Sequence, residues 1–210
     1  MINQVLPRGR RGVRHGERLT NCVRARSGQA RYNAFTLIEL ILVVGIIIVL
    51  AGLVLSTAGY ARKKGALARA ETEIAALSAA CENYKADNGV YPSNTDTNNL
   101  DPRTAGNPNS PSYSLTSFYL YTKLSGDTIG NRTPTGKSYM QFKPNMLFPA
   151  DQTQNVQYIQ DPFGYSYGYS TSNQVDPTHG YNPTFDLWTT CSLTNSPHSA
   201  ADQNQWIKNW

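Results

Sequence analysis

The segment from Phe35 to Leu55, FTLIELILVVGIIIVLAGLVL, constrains this chain more than any other part of it. Nearly all of its residues are apolar, and a helix rising about 1.5 Å per residue would carry them across a hydrocarbon core of about 30 Å. One carboxylate, Glu39, interrupts the run near its start. A charge inside a membrane costs on the order of a few kcal/mol. The sequence therefore predicts a membrane-spanning helix in which Glu39 has a specific partner.

The residues around this carboxylate carry a family resemblance. AFTLIEL (Ala34 to Leu40), followed by an apolar helix, resembles the type IV pilin superfamily, which contains the pilins and the pseudopilins of type II secretion. The resemblance implies that a membrane peptidase cleaves between Ala34 and Phe35 and then methylates the new amine of Phe35. Glu39 becomes the assembly glutamate of the family. Glycine usually stands where this chain has Ala34; alanine is also small, so processing is expected here too.

Simple physics gives Glu39 a matching role. Groups at i and i+4 share a helix face, so the freed ammonium of Phe35 and the Glu39 carboxylate can neutralise each other, within one subunit or between neighbours. The positive end of the helix dipole also favours an acid in the first turn. The alternative is a stray acid close enough to the interface to reach the headgroups.

The charge of the chain is divided unevenly. Residues 1–34 hold eight arginines and one acid, a net charge of +7, whereas the remainder holds 11 basic and 13 acidic residues. A nucleic-acid-binding arm is one interpretation of the basic segment. The positive-inside rule is simpler, because arginines before a first span hold that end in the cytoplasm. We therefore expect a cytoplasmic N-terminus, a C-terminal domain outside the membrane, and no nucleic-acid partner.

A secretory signal peptide is the competing interpretation of the apolar run. Such a peptide has an apolar core of about 7–15 residues that ends in an A-x-A-like cleavage site. The run in this chain is longer, and the small residues of segment 56–61 form only a weak cleavage site.

The predicted helix continues beyond the membrane. Segment 66–87 contains neither proline nor glycine and is rich in good helix formers. Apolar residues recur there at spacings of three and four and form one stripe: Leu67, Ala70, Ile74, Leu77, Cys81 and Tyr84. We predict one helix from Thr36 to Asn88. Many pilins have a proline in this helix, and none occurs here between Phe35 and Tyr91.

Three glycines spaced by seven lie on one face of the predicted span: Gly45, Gly52 and Gly59. Small residues let membrane helices approach closely, which suits a filament core. They are equally consistent with weak points in the helix or with ordinary membrane glycines.

The C-terminal part predicts a small domain. Segment 93–112 is too polar to pack a core and is predicted as a surface loop; Leu115 to Leu124 is predicted as a short helix with Leu115, Phe118, Tyr119 and Leu124 as core contacts, and Ser138 to Phe142 as a strand. Alternating aromatic residues then predict strands around Tyr165–Tyr169 and Phe185–Thr190. Alternating tyrosines pack on one face of a sheet more often than they stack on sugars or bases. We expect the sheet to cover the Cys81 face of the helix.

These predictions give an α+β fold, in which a long N-terminal helix, transmembrane and then amphipathic, packs against a small antiparallel sheet as in pilins. The chain divides into a cleaved leader (1–34), a transmembrane and filament-core helix (35–60), an amphipathic helix (61–90) and a periplasmic globular domain (91–210).

Three segments in the C-terminal half indicate which branch of the superfamily the chain resembles. DPFG (161–164), FDLWT (185–189) and WIKNW (206–210) resemble the major pseudopilin of type II secretion. That family binds calcium in the loop before the terminal segment, which in this chain is segment 191–205. Its only acid is Asp202 and it has no glycine, whereas calcium takes 6–8 oxygen ligands. The resemblance therefore implies at most a weak calcium site at Asp202.

Two cysteines remain after removal of the leader, which takes Cys22 with it. Cys81 and Cys191 would lie in an oxidising compartment, where a disulfide between them is permitted. The alternative is a free buried Cys81, because sequence cannot fix cysteine pairing.

Together the resemblance implies a structural subunit of a type II secretion pseudopilus. It is a single-pass inner-membrane protein that later joins a periplasmic filament and helps to export folded proteins. Its partners are the prepilin peptidase and methyltransferase, other pseudopilin subunits, the inner-membrane secretion platform and membrane lipid. The role is mechanical, and the sequence contains no paired-cysteine or phosphate-loop motif that would predict an enzyme.

Two alternatives stay open. One is a type IV pilin or minor pilin that acts in adhesion or DNA uptake, which neighbouring genes for a retraction ATPase would favour. The other is a signal-anchored surface protein that binds a ligand through its tyrosine-rich domain.

Overall fold

The computed structural model describes residues 35–194 and 200–210. This part of the chain is mixed α+β, with a long apolar N-terminal helix and small antiparallel sheets. The helices are α1 (Leu37–Asn88), α2 (Thr95–Asn99), α3 (Pro111–Ser125), α4 (Ser172–Val175) and α5 (Ala200–Gln203), with a 3₁₀ turn at Pro144–Met146. The strands are β1 (Leu147–Phe148), β2 (Tyr158–Ile159), β3 (Gly168–Ser170), β4 (Asp186–Thr189) and β5 (Ile207–Lys208). The chain divides into two compact units, Met1–Ile47 and Ile48–Trp210, and the boundary between them falls within α1.

Helix α1 agrees with the predicted helix within one residue. It is long and apolar enough to cross a membrane, and its most apolar stretch is not buried within the protein. The predicted stripe of the second half packs inward: Ala70, Ile74, Leu77 and Cys81 are buried. Gly89 ends the helix in the left-handed conformation that glycine adopts without strain, with φ of 78°.

The main core lies between α1, α3 and the larger sheet. That sheet has the order β3–β4–β5 and is antiparallel throughout, while β1 and β2 form a separate antiparallel pair. Tyr167, Tyr169 and Leu187 are fully buried and lie in one apolar cluster with Leu77 and Cys81. As predicted, Tyr167 and Tyr169 are core residues and the sheet covers the Cys81 face, whereas Tyr165 is only partly buried and precedes β3, which begins at Gly168.

A smaller core lies in the same unit. It contains Leu100, Tyr113, Trp188 and Trp206. Trp188 is central, since its indole N–H donates to the Tyr113 hydroxyl at 3.0 Å and its ring stacks on Trp206 with 6.2 Å between ring centroids.

The prediction that segment 93–112 packs no core was wrong. The segment contains α2, whose Asn94 and Thr97 form a capping box, and Thr97 and Leu100 are buried. The Thr97 hydroxyl lies 2.8 Å from that of Thr171. Polar side chains enter a core when they satisfy each other's hydrogen bonds, and composition alone does not reveal such partners.

The predicted strand at Ser138–Phe142 is also absent. The backbone N–H groups of Tyr139 and Met140 both donate to the Leu124 carbonyl, at 2.7 and 3.0 Å, so this segment satisfies the C-terminus of α3. The predicted helix at Leu115–Leu124 is present: it is α3, which is longer than predicted. Leu115, predicted as a core contact, is 52% exposed because it lies on the outer face of α3.

Candidate functional site at the start of helix α1

Thr36 and Glu39 form a reciprocal set of hydrogen bonds at the N-terminus of α1. The Thr36 carbonyl accepts from the Leu40 N–H at 3.2 Å, which makes Thr36 the N-cap residue. Glu39 Oε2 accepts from the Thr36 N–H at 3.1 Å and from the Thr36 hydroxyl at 3.0 Å. The Glu39 N–H in turn donates to Thr36 Oγ1 at 3.3 Å. The arrangement is a capping box.

The capping box fixes where the Glu39 carboxylate lies. Both of its hydrogen bonds end on Oε2, and a carboxylate accepts at two oxygens, so capping is compatible with pairing to a cation. A negative charge in the first turn is also favoured by the positive end of the helix dipole. The site can therefore hold an ammonium group next to the start of the helix.

Sequence reasoning assigned Glu39 a partner in the Phe35 amine and missed Thr36. The Thr-x-x-Glu spacing before an apolar run is a known capping-box signature and was visible in the sequence. Phe35 is 78% exposed, whereas Ala34 lies outside the described residues. Cleavage between Ala34 and Phe35 stays a prediction.

The predicted disulfide is not formed in the structure. Cys81 and Cys191 are both free and buried. Burial raises the pKa of the Cys191 thiol, and a hydrogen bond from the Ile207 backbone opposes the shift.

The residue predicted to bind calcium is Asp202. Asp202 lies in the short helix α5, at the end of a loop whose residues 195–199 are outside the described part. Among the described residues, no group of three or more histidines, cysteines and acids is arranged to hold a metal ion. Calcium at Asp202 stays a prediction.

The three late sequence segments meet in one region of the fold. Asp161 opens the DPFG turn, where its Oδ1 accepts from the N–H groups of Phe163 and Tyr165 at 2.9 and 2.8 Å. Its Oδ2 accepts from the Thr189 hydroxyl at the end of β4. In the terminal segment, Asn209 Oδ1 accepts from the Leu187 N–H of β4 at 2.8 Å. These segments therefore hold the sheet together through side-chain hydrogen bonds.

Burial raises the pKa of the Asp161 carboxyl above its usual range, although the hydrogen bonds from Thr189 and the turn oppose the shift. Burial likewise raises the pKa of Asp186 in β4, against hydrogen bonds from the Tyr181 and Asn182 N–H groups. Both carboxyls serve the fold of the sheet and its adjoining loops.

Comparison with family models, with curated proteins and with solved structures finds no match for this chain.

Proposed function

We propose that this protein is a structural subunit of a type II secretion pseudopilus, held in the inner membrane by α1 and later polymerised through the same helix. One observation carries the proposal: a carboxylate, Glu39, is placed by a capping box at the first turn of an exposed apolar helix. Capping and the helix dipole favour this carboxylate in any such helix, and a subunit with a free Phe35 amine additionally gains an ion pair with it.

The late segments support the proposal in a second way. The residues that resemble the major pseudopilin are Asp161, Leu187 and Asn209 among others, and their hydrogen bonds connect the DPFG turn, β4 and the terminal segment. These contacts serve the architecture of the globular part. A filament subunit needs such a domain and needs no catalytic centre.

Mass spectrometry of the protein from cells with a type II secretion system tests the processing step. The expected N-terminus is Phe35 carrying one added methyl group. An N-terminus within segment 56–61 would show signal-peptidase cleavage and contradict the proposal, as would a chain that keeps residues 1–34.

Two substitutions separate the charge of Glu39 from its capping role. Glu39→Gln keeps an oxygen that accepts from Thr36 but removes the negative charge, and Glu39→Ala removes both. If the ion pair drives assembly, both variants insert normally and neither forms filaments. Filaments formed by Glu39→Gln but not by Glu39→Ala would reduce the role of Glu39 to capping.

Glu71→Gln is the matched control, because Glu71 is an exposed acid on the same helix. It should assemble like the unsubstituted chain, as measured by sedimentation of sheared filaments and by crosslinking between subunits.

A further inference from the structure

A compact basic cluster lies on α1 where the apolar run has ended. Arg62, Lys63 and Lys64 are consecutive and exposed. The sequence between Leu40 and Ala70 contains no acid. Within the described part of the chain, the ion pairs join other residues: Arg69 with Glu73, Lys137 with Asp87, and His179 with Asp176. The cluster therefore presents three positive charges that the described protein does not neutralise.

The position of the cluster along the helix matches the depth of lipid headgroups. Arg62 follows Leu55 by about 10 Å of helical rise. The polar zone on each side of a hydrocarbon core is about 5–8 Å thick, and long basic side chains bend back toward it. Tyr60, between these residues, is 72% exposed and suits the interface, where tyrosine is enriched.

The chemistry of the cluster fits phosphate. An arginine guanidinium binds phosphate oxygens in pairs, and lysine binds them as a point charge. The three side chains point in different directions, because consecutive helical residues are about 100° apart. The three side chains can therefore bind several lipid molecules around the helix, whereas a single protein ligand could not contact all three.

We propose that Arg62, Lys63 and Lys64 form a binding surface for anionic phospholipids in the leaflet where α1 leaves the membrane. The surface concentrates these lipids around the helix and sets the depth at which it sits. The inference rests on insertion of α1 and is independent of pseudopilus assembly.

The test uses the full chain with Tyr60→Trp, reconstituted in phosphatidylcholine bilayers at low ionic strength. The fluorescence of the new indole is obtained by subtracting the spectrum of the unsubstituted chain, which has three tryptophans. It is quenched with acyl-brominated phosphatidylglycerol or with phosphatidylcholine brominated at the same carbon. We expect the quenching to show that phosphatidylglycerol lies next to the new indole about threefold or more often than phosphatidylcholine at equal concentration. This preference for phosphatidylglycerol should weaken in high salt.

Adding Arg62→Gln, Lys63→Gln and Lys64→Gln should reduce the preference to about one, since electrostatic attraction is lost. The matched control removes three charges elsewhere, by Lys123→Gln, Lys143→Gln and Lys208→Gln, and should keep the preference. Arginines of the leader precede the span and are unchanged in both variants.

Equal quenching by the two lipids would overturn the proposal, as would a preference that survives the triple substitution. A preference that disappears as the protein-to-lipid ratio rises would assign the cluster to acidic residues of a second copy. Absence of quenching by either lipid would overturn insertion of this region and the proposal with it, whereas failure of filament assembly would leave it standing.

Discussion

Gly168 lies directly opposite Trp188 in the β3–β4 register, and the missing side chain makes room for the indole. A Cβ at Gly168 would lie 2.3 Å from the Trp188 ring. Trp188 is fully buried and held by Tyr113 and Trp206, so its ring has little freedom to move away. This single position therefore couples the larger sheet to the smaller core.

We expect Gly168→Ala to lower the free energy of unfolding by about 1–3 kcal/mol, the usual cost of forcing extra atoms into a packed core. Thermal unfolding followed by near-UV circular dichroism measures the change. Gly136→Ala is the control, because a Cβ added at Gly136 would lie an ordinary 3.6 Å from the Gly126 carbonyl oxygen, and this variant should unfold near the unsubstituted temperature. Equal effects of the two substitutions would contradict this account of Gly168.

The buried carboxyl of Asp161 makes the stability of the fold depend on pH. Burial raises the pKa of its carboxyl in the folded chain above the ordinary 3.8. Between 3.8 and the raised pKa the folded state holds more protons than the unfolded state, so this group's contribution to stability falls as pH rises. This contribution to stability is fully present below the pKa that Asp161 has in the unfolded chain, and it is lost above the pKa that Asp161 has in the folded chain.

Asp161→Asn should remove that dependence while keeping the turn, because an amide oxygen also accepts from Phe163 and Tyr165. Relative to Asp161→Asn, the unsubstituted chain should gain stability as pH is lowered from 7 toward about 4. Urea unfolding at several pH values measures the difference between the two proteins. A difference that is constant with pH would show that burial does not perturb this carboxyl.

At the scale of elements, one buried network joins α1 to the chain entering β3. Glu73 on α1 accepts from the Tyr167 hydroxyl at 2.8 Å and from Arg69 Nε at 2.6 Å. Arg69 also donates to the Asn145 carbonyl at 3.2 Å, which links the 3₁₀ turn to the same helix. Burial and the nearby Glu73 charge raise the pKa of Tyr167, so its hydroxyl stays protonated and remains a donor.

Tyr167→Phe should lower the free energy of unfolding by about 1–3 kcal/mol, because it removes one donor from a nearly buried carboxylate. Chemical denaturation of the detergent-solubilised chain provides the measurement. Tyr165→Phe is the control, since the described residues provide no hydrogen-bond partner for the Tyr165 hydroxyl, and it should change little. A loss as large in the control would show that the Glu73 contact is not the cause.

The elements that sequence predicted well are those with a long or regular pattern. Helix α1 and the burial of Tyr167 and Tyr169 were predicted from spacing alone, although β3 is shorter than the strand that the alternation predicted. The short helix α2 was missed because its stability comes from the Asn94–Thr97 capping box and from Thr171, which is distant in sequence. The candidate site was predicted in part: Glu39 was identified from its unusual position, whereas its Thr36 partner was overlooked.

At the scale of the whole molecule, the globular part is held by two apolar clusters and by buried hydrogen bonds, without a disulfide in the described structure. Cys81 lies in the main cluster and is fully buried, and Cys191 is 7% exposed at the end of β4. Burial raises the pKa of both thiols, which lowers the fraction of reactive thiolate.

The full chain carrying Cys22→Ser should therefore contain two slow-reacting free thiols. Purified without reductant and treated with N-ethylmaleimide, the folded protein should gain little mass, because the thiols are inaccessible and protonated. After unfolding in denaturant it should gain two adducts, at Cys81 and Cys191, and reductant should leave its thermal midpoint unchanged. A chain that takes up maleimide only after reduction would contain the bridge and would contradict the structure, in which both cysteines are free.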